Sequence, residues 1–506
     1  MKKVQLYIVA LAIAAVSATG CKKFLDEKPL TQVLVENYFK SLNDVNASMA
    51  GVYGAFQEAM TGTGSGFSGY YHYWGESRSD NFDKGQYGGS VDLELTMNQL
   101  TSTNRTANWT VLYKTIGRAN TCIKFIPQAQ QYDNRVTNTI RDNSIAQCYA
   151  MRAICYFYIV RVWGDAVVWT EPYDDYTQPS RIPRSGKDSV IDNQIIPDLQ
   201  KAYSLIQKNQ TANVWYLNEA AICAALADVY MWKKDYNNAV AWIQKVFAAK
   251  GPLGAVLSGT SGANLEPSAT WKRLFTSPTA TNEAIWSINW DFTYNDCACL
   301  PISIATSNNP LAVDVSIHST WKTRSGDIRP KWTYDTLTGT GHIDKVVKYY
   351  NITNNSFPTG TGAPLANTYN VYLVMYRLGD VYLSYAEALN KLHDKTNSLK
   401  YLNFIRVRAG LTALDINDAS IATEDMMEDV ILQERQYELF AEGKRWFDLV
   451  RTNHVKKIMD PIITRRQISY GSPVTGFGDD AGKILWPVLR QNLEDNKALK
   501  QNSSYN

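Results

Sequence analysis

The chain has 506 residues, a formal net charge of +3, and 14 Trp with 31 Tyr. That length holds two or three ordinary domains or one large helical one. The near-neutral balance excludes the basic footprint of a nucleic-acid binder, and no segment beyond the N-terminus is long and apolar enough to read as a membrane span.

The N-terminus reads as a secretory signal. Met1-Lys2-Lys3 is basic, Val4 to Ala18 is apolar apart from Gln5, Tyr7 and Ser17, and small residues lead into Cys21. The Ala18-Thr19-Gly20-Cys21 arrangement resembles the lipobox of bacterial lipoproteins, with alanine where leucine is usual. It implies removal of residues 1–20 and lipidation of Cys21, so that two or more acyl chains anchor the protein to a membrane. Removing Lys2 and Lys3 takes the charge from +3 to +1. Of the six remaining cysteines, Cys122, Cys148, Cys155 and Cys223 fall in helical patterns and are expected to be free and buried. Cys297 and Cys299 are too close for a local bridge. No Cys/His cluster has zinc spacing.

Apolar periodicity predicts helices over Asp44–Met60, Asn108–Ile126 (ended by Pro127), Arg141–Val162 (closed by Gly164) and Val190–Ile206, with a boundary at Pro197. Leu217–Lys233 and Tyr236–Ala249 form a helix pair around a polar Lys-Lys-Asp turn. "YRLGDVYLSYAEALNKL" (Tyr376–Leu392) echoes it, since Gly379–Leu383 mirrors Ala227–Met231, and Leu399–Arg408 follows. These pairs read as degenerate tetratricopeptide-type hairpins. Strand-like runs occur at Glu283–Trp290 and Ile343–Tyr350. The stretch "ERQYELFAEGKRWFDLVR" (Glu434–Arg451) reads as one ion-paired helix. Its Glu438 is neighboured by Arg435 and its Glu442 by Arg445, while Lys444 and Arg451 bracket Asp448. Gly443 within it costs about 1 kcal/mol of helix propensity, so a close-packed neighbour is expected there.

Several blocks together resemble the SusD/RagB family of surface lipoproteins from Bacteroidetes. They are "KKFLDEKP", "WTVLYKTIGRAN", "AQCYAMRAICYFYIVRVWGDAVV", "YRLGDVYLSYAEALN", "LNFIRVRAGL", "ERQYELFAEGKRWFDLVR" and "LWPVLRQNLEDNKALKQN". They follow the family's order along nearly the whole chain, and Lys497 stands where proline is frequent. The resemblance implies a mainly α fold: tetratricopeptide-like hairpins forming a scaffold over about 30–250 and 370–506. An irregular, insertion-rich lobe at about 61–99 and 251–369 would carry a few short strands, all within one domain spanning 21–506. It further implies a non-catalytic, lipid-anchored protein on the outer face of the outer membrane. Such a protein captures an oligosaccharide and acts as a lid on a SusC-like, TonB-dependent transporter, without cofactor, metal or nucleic acid. Peptide or glycopeptide cargo is the alternative.

A sugar ring stacks its C–H face on an aromatic side chain and orients through a few polar groups. Two irregular segments offer that mix. Asn81 and Tyr87 lie in the first; Trp290, Tyr294, Trp321 and Arg324 lie in the second. These six are the expected ligand contacts. Trp74 and Trp286 read as packing residues instead. A glycoside hydrolase would need two carboxyl groups with separated pKa values across a groove, and Glu434, Glu438 and Glu442 form the only dense acidic cluster.

Overall fold

A computed structural model of the protein describes residues 38–63, 67–174, 177–291, 295, 310–334, 346–349 and 372–505. The lipidation position Cys21, the expected contact Tyr294, and Cys297 and Cys299 lie outside them. The principal helices are α1 (Leu42–Thr61), α2 (Thr110–Tyr132), α3 (Asn138–Trp163), α4 (Ile196–Leu205), α5 (Glu219–Trp232), α6 (Tyr236–Ala248), α7 (Leu378–Lys391), α8 (Lys395–Arg408), α9 (Glu424–Glu438), α10 (Arg445–Arg451) and α11 (Val455–Ser469). Neighbours in sequence pack as hairpins, α2 on α3, α5 on α6 and α7 on α8, while α6 meets α7 and α7 meets α9. The expectation of a mainly helical fold with hairpins holds.

The two hairpin turns use the same chemistry. Lys234 and His393 adopt left-handed φ of 60° and 63°, and the next residue, Asp235 or Asp394, caps the following helix. Each aspartate accepts the backbone N–H and the side-chain amide of the asparagine three residues on, Asn238 or Asn397. Helix α3 is the centre of the packing: from Ala150 to Trp163 every residue is buried. A continuous apolar core surrounds it. Cys122, Cys148, Cys155 and Cys223 are free and buried within the helices, as their patterns predict.

Two sequence boundaries move, and the one at Pro197 holds to within a residue. Pro127 does not end α2, which continues to Tyr132; packing against α1 and α3 offsets the lost backbone bond. Pro197 sits in the first turn of α4, directly after a π-helical stretch at Ile191–Ile195. The other change is larger. Glu434–Arg451 is not one helix: α9 ends at Glu438, and α10 begins at Arg445. Between them Ala441 and Gly443 have φ of 64° and 69°. Gly443 abuts Tyr71, where an added Cβ would come within 3.2 Å of the ring. A close neighbour does sit at Gly443, but it accompanies a chain reversal rather than a helix.

Strands are few and short. β1 (Gly62–Thr63) pairs with β2 (Phe67–Ser68), β3 (Phe82–Lys84) with β5 (Leu311–Val313), and β4 (Ala284–Ile288) with β6 (Leu373–Arg377), all antiparallel. The last pair lies across the end of α5, is buried on both faces, and joins the irregular lobe to α7.

Candidate functional site

The densest cluster of ionisable groups turns out to be a buried lattice. Glu434 is met by Arg324 (3.0 Å), Arg329 (2.6 Å) and Arg406 (3.4 Å). Glu438 is met by Arg329 (3.1 Å), Arg377 (2.6 Å) and Arg408, and Glu442 by Arg377 and Lys348, both at 2.8 Å. Arg377 uses all five of its donors. Nε and Nη2 donate to Glu442, Nη1 to Glu283 and Glu438, and Nη2 also to the Glu438 carbonyl. Gly379 makes room for it, because a Cβ there would lie 2.3 Å from Arg377 Nη1. Burial alone would raise the Glu438 carboxyl, but Arg408, Arg377 and Arg329 outweigh it and hold the pKa well below the ordinary range. A general acid needs the opposite shift. Of the local pairs expected from spacing, Arg451–Asp448 (2.9 Å) forms. Arg435 turns instead to Asp380 and Asp448, Lys444 to Asp380 and Arg445 to Asp80.

The expected ligand contacts are scattered. Trp321 is fully buried, stacked on Tyr437 at 4.9 Å between centroids, with its indole N–H on Asp327. Asn81 is equally buried, donating to Glu76 and accepting from Gln436. Both were expected to face ligand and instead face the core, because each has a buried partner far away in sequence. Trp290 is 2% exposed and offers no open ring face. Arg324 is held between Asp327 and Glu434. Tyr87 stands out, 56% exposed, on the loop after β3. Trp74 and Trp286 are core residues, as expected.

The structure assembles a different aromatic site at the edge of the irregular lobe. A cavity of about 300 Å³ opens beside the C-terminal half of α1 and the end of β4, lined by Tyr53, Gln57, Trp215, Tyr216, Trp286 and Asn289. Trp215 and Tyr216 ride on the loop before α5, which is pinned at every step. Asn213 accepts the Trp215 N–H, Val214 accepts from Ser287 of β4, and Tyr53 accepts from Leu217. Asn218 caps α5 while donating to the carbonyls of Asn213, Tyr216 and Ile285. Trp215 packs at 4.8 Å against Tyr372, and Tyr216 edge-on at 5.1 Å against Tyr53. The polar rim consists of Gln57, which donates to the Asn289 carbonyl and accepts from Asn295. Rigid rings beside a few amides give a surface suited to an apolar ring face with hydroxyls around it. Sequence reading missed Trp215 and Tyr216. The available signal was an adjacent Trp-Tyr pair between asparagines just ahead of a helix.

A helical-hairpin scaffold with a preorganised aromatic pocket thus defines the class of protein. Two family models match: the SusD family over residues 312–505, and a family described as starch-binding associating with outer membrane over residues 23–231. SusD-like protein P38 of Formosa agariphila is 25% identical over 541 aligned residues, covering 99% of this chain and 98% of that protein. A SusD-like protein of Bacteroides ovatus is 22% identical over 88% of this chain and 82% of its own length. Among solved structures, a SusD superfamily protein of Bacteroides vulgatus matches at 17% identity over 92% of this chain and all of its own, with a TM-score of 0.72. A laminarin-binding SusD-like protein matches at 18% identity over 92% of this chain and all of its own, with a TM-score of 0.69. The chain belongs to the SusD/RagB family, one whose members include starch-binding proteins associated with the outer membrane. No described helix is long and apolar enough to cross a membrane.

Proposed function

We propose that the protein is a non-catalytic, lipid-anchored glycan-capture protein of the cell surface that delivers neutral oligosaccharide to a SusC-like, TonB-dependent transporter and acts as its lid. The observation that carries the glycan part is the Trp215–Tyr216–Tyr372 platform beside Gln57 and Asn289. The transporter, the surface location and anchoring through Cys21 rest on the family and on the N-terminal pattern. Tyr87, exposed on the loop after β3, and Tyr294, outside the described residues, stay in the proposed contact set on the sequence reading alone. Peptide cargo is less well served. Strand addition needs a free sheet edge, and β4 is paired with β6 on one side and bonded to Val214 on the other at Ser287.

Affinity electrophoresis and titration calorimetry against laminarin, starch and other neutral glucans test the reading. Retention by at least one glucan is expected, weakened about tenfold by Trp215→Ala, the loss of roughly 50 Å² of buried ring face. Binding to peptides with none to any glycan would overturn it. Co-purification with a TonB-dependent transporter tests the lid role separately.

A further inference from the structure

A second aromatic wall lies on other elements of the molecule. Residues 166–171 leave α3 as an extended segment without a regular sheet partner, yet side chains of α2 and α3 hold it along its length. Tyr113 Oη accepts the Val167 N–H and donates to the Val167 carbonyl, both at 2.9 Å. Tyr156 Oη does the same for Trp169, at 2.6 and 2.8 Å. Asn120 donates to the carbonyls of Trp169 and Glu171, and Arg152 to that of Thr170. Arg152 is itself fixed by Asp198 through two 2.8 Å bonds. An irregular segment braced so heavily presents its side chains in one geometry.

What it presents is Trp169, with open space on both sides. One cavity, about 310 Å³, is bounded by Tyr113, Trp169 and Tyr173, with Glu171 and Ser180 on its rim. The other, about 210 Å³, shares Tyr113 and Trp169 and runs to Trp109 and the C-terminal segment at Asn492, Asp495 and Asn496. Trp169 and Tyr173 meet edge to face at 6.1 Å, and Tyr173 is more than half exposed. On the far wall the Asn492 amide nitrogen is buried with no hydrogen-bond partner in the protein.

We propose that this double cavity is a second saccharide subsite, with a sugar ring stacked on Trp169 and its hydroxyls facing the polar groups of the rim. Glu171 and Asp495 on the rim disfavour anionic ligands, and the flat rings with amide neighbours suit a neutral pyranose. The inference rests on the glycan reading for its choice of probe, while its location is independent of the Trp215 pocket. It gives one chain two separated grips on a polysaccharide, so that avidity exceeds either single affinity.

The test is gel retention and calorimetry of the mature full-length chain on the glucan that wild type binds, using Trp215→Ala, Trp169→Ala and the Trp169/Trp215 double variant. The expected result is a partial loss for each tryptophan variant, of about tenfold, and no detectable retention for the double variant. Circular dichroism checks folding, and Trp169→Phe should restore part of the retention if the ring face matters. If Trp215→Ala alone abolishes binding, or Trp169→Ala binds as wild type does, the second subsite is overturned and the first stands. If wild type binds no glycan at all, both readings fall.

Discussion

Replacing Arg377 with methionine probes the ion-pair lattice that joins α9, β6 and the irregular lobe. Arg377 is fully buried, and Glu283, Glu438 and Glu442 around it are 0–2% exposed. Methionine fills much of the volume, so the cavity cost is small. The loss lies in five hydrogen bonds and one charge. Each carboxylate keeps another cation: Glu283 keeps Arg408 at 3.1 Å, Glu438 keeps Arg329 at 3.1 Å, and Glu442 keeps Lys348 at 2.8 Å. This places the expected loss near the lower end of the range for breaking a buried ion pair, about 3 kcal/mol. Urea unfolding followed by tryptophan fluorescence measures it. The deficit should shrink below about pH 4.5, because Arg377 helps hold the Glu438 carboxyl below its ordinary range and that contribution is lost as the unfolded chain takes up protons. Arg377→Lys keeps the charge but has three donors instead of five and should recover only part of the loss. A deficit under about 1 kcal/mol, or full recovery by lysine, would refute the claim that this guanidinium holds the lattice.

Gly379→Ala drives a Cβ to 2.3 Å from Arg377 Nη1 and 2.9 Å from Glu283 Oε1; it should cost about 2 kcal/mol or more in the same unfolding assay, and less in an Arg377→Met background. Asp235→Ala and Asp394→Ala each remove a helix cap and should each cost about 1 kcal/mol, with ligand binding unchanged in calorimetry. Burial pushes the Glu76 carboxyl up to about 8, offset only in part by donors from Asn81 and the Lys444 backbone. Between the unfolded value near 4.5 and that value the folded state holds the extra proton, so this group's contribution to stability falls as pH rises, by about 3 kcal/mol between pH 4.5 and 7; Glu76→Gln should flatten that part of the stability profile. His72 is shifted the opposite way, to about 3, chiefly by burial. The unfolded chain takes up its proton first, so stability contributed by neutral His72 is lost as pH falls below about 6.5, and His72→Gln should remove that loss from the acid limb.

Local rules were legible in the sequence. Apolar periodicity placed α1, α3, α5 and α6 within a few residues. The echo of Ala227–Met231 in Gly379–Leu383 identified a second hairpin, and both hairpins turn through a left-handed residue followed by a capping aspartate. Each of these signals is contained in a few neighbouring residues, where backbone geometry and side-chain spacing are set by the chain itself. The ordered family blocks carried the family membership for the same reason: short-range patterns survive in one sequence. Tertiary structure decided what lies between distant segments. The break at Leu439–Lys444, the partners of Glu438 and Arg435, and the burial of Asn81 and Trp321 all depend on residues beyond the local helix turn, from about a dozen to several hundred positions away. An exposed and a buried tryptophan look alike in sequence, because exposure is a property of what packs against the ring. Trp215, ignored among helix-flanking residues, therefore lines a cavity once β4 and α1 come beside it, and Trp321 becomes core once Tyr437 covers it.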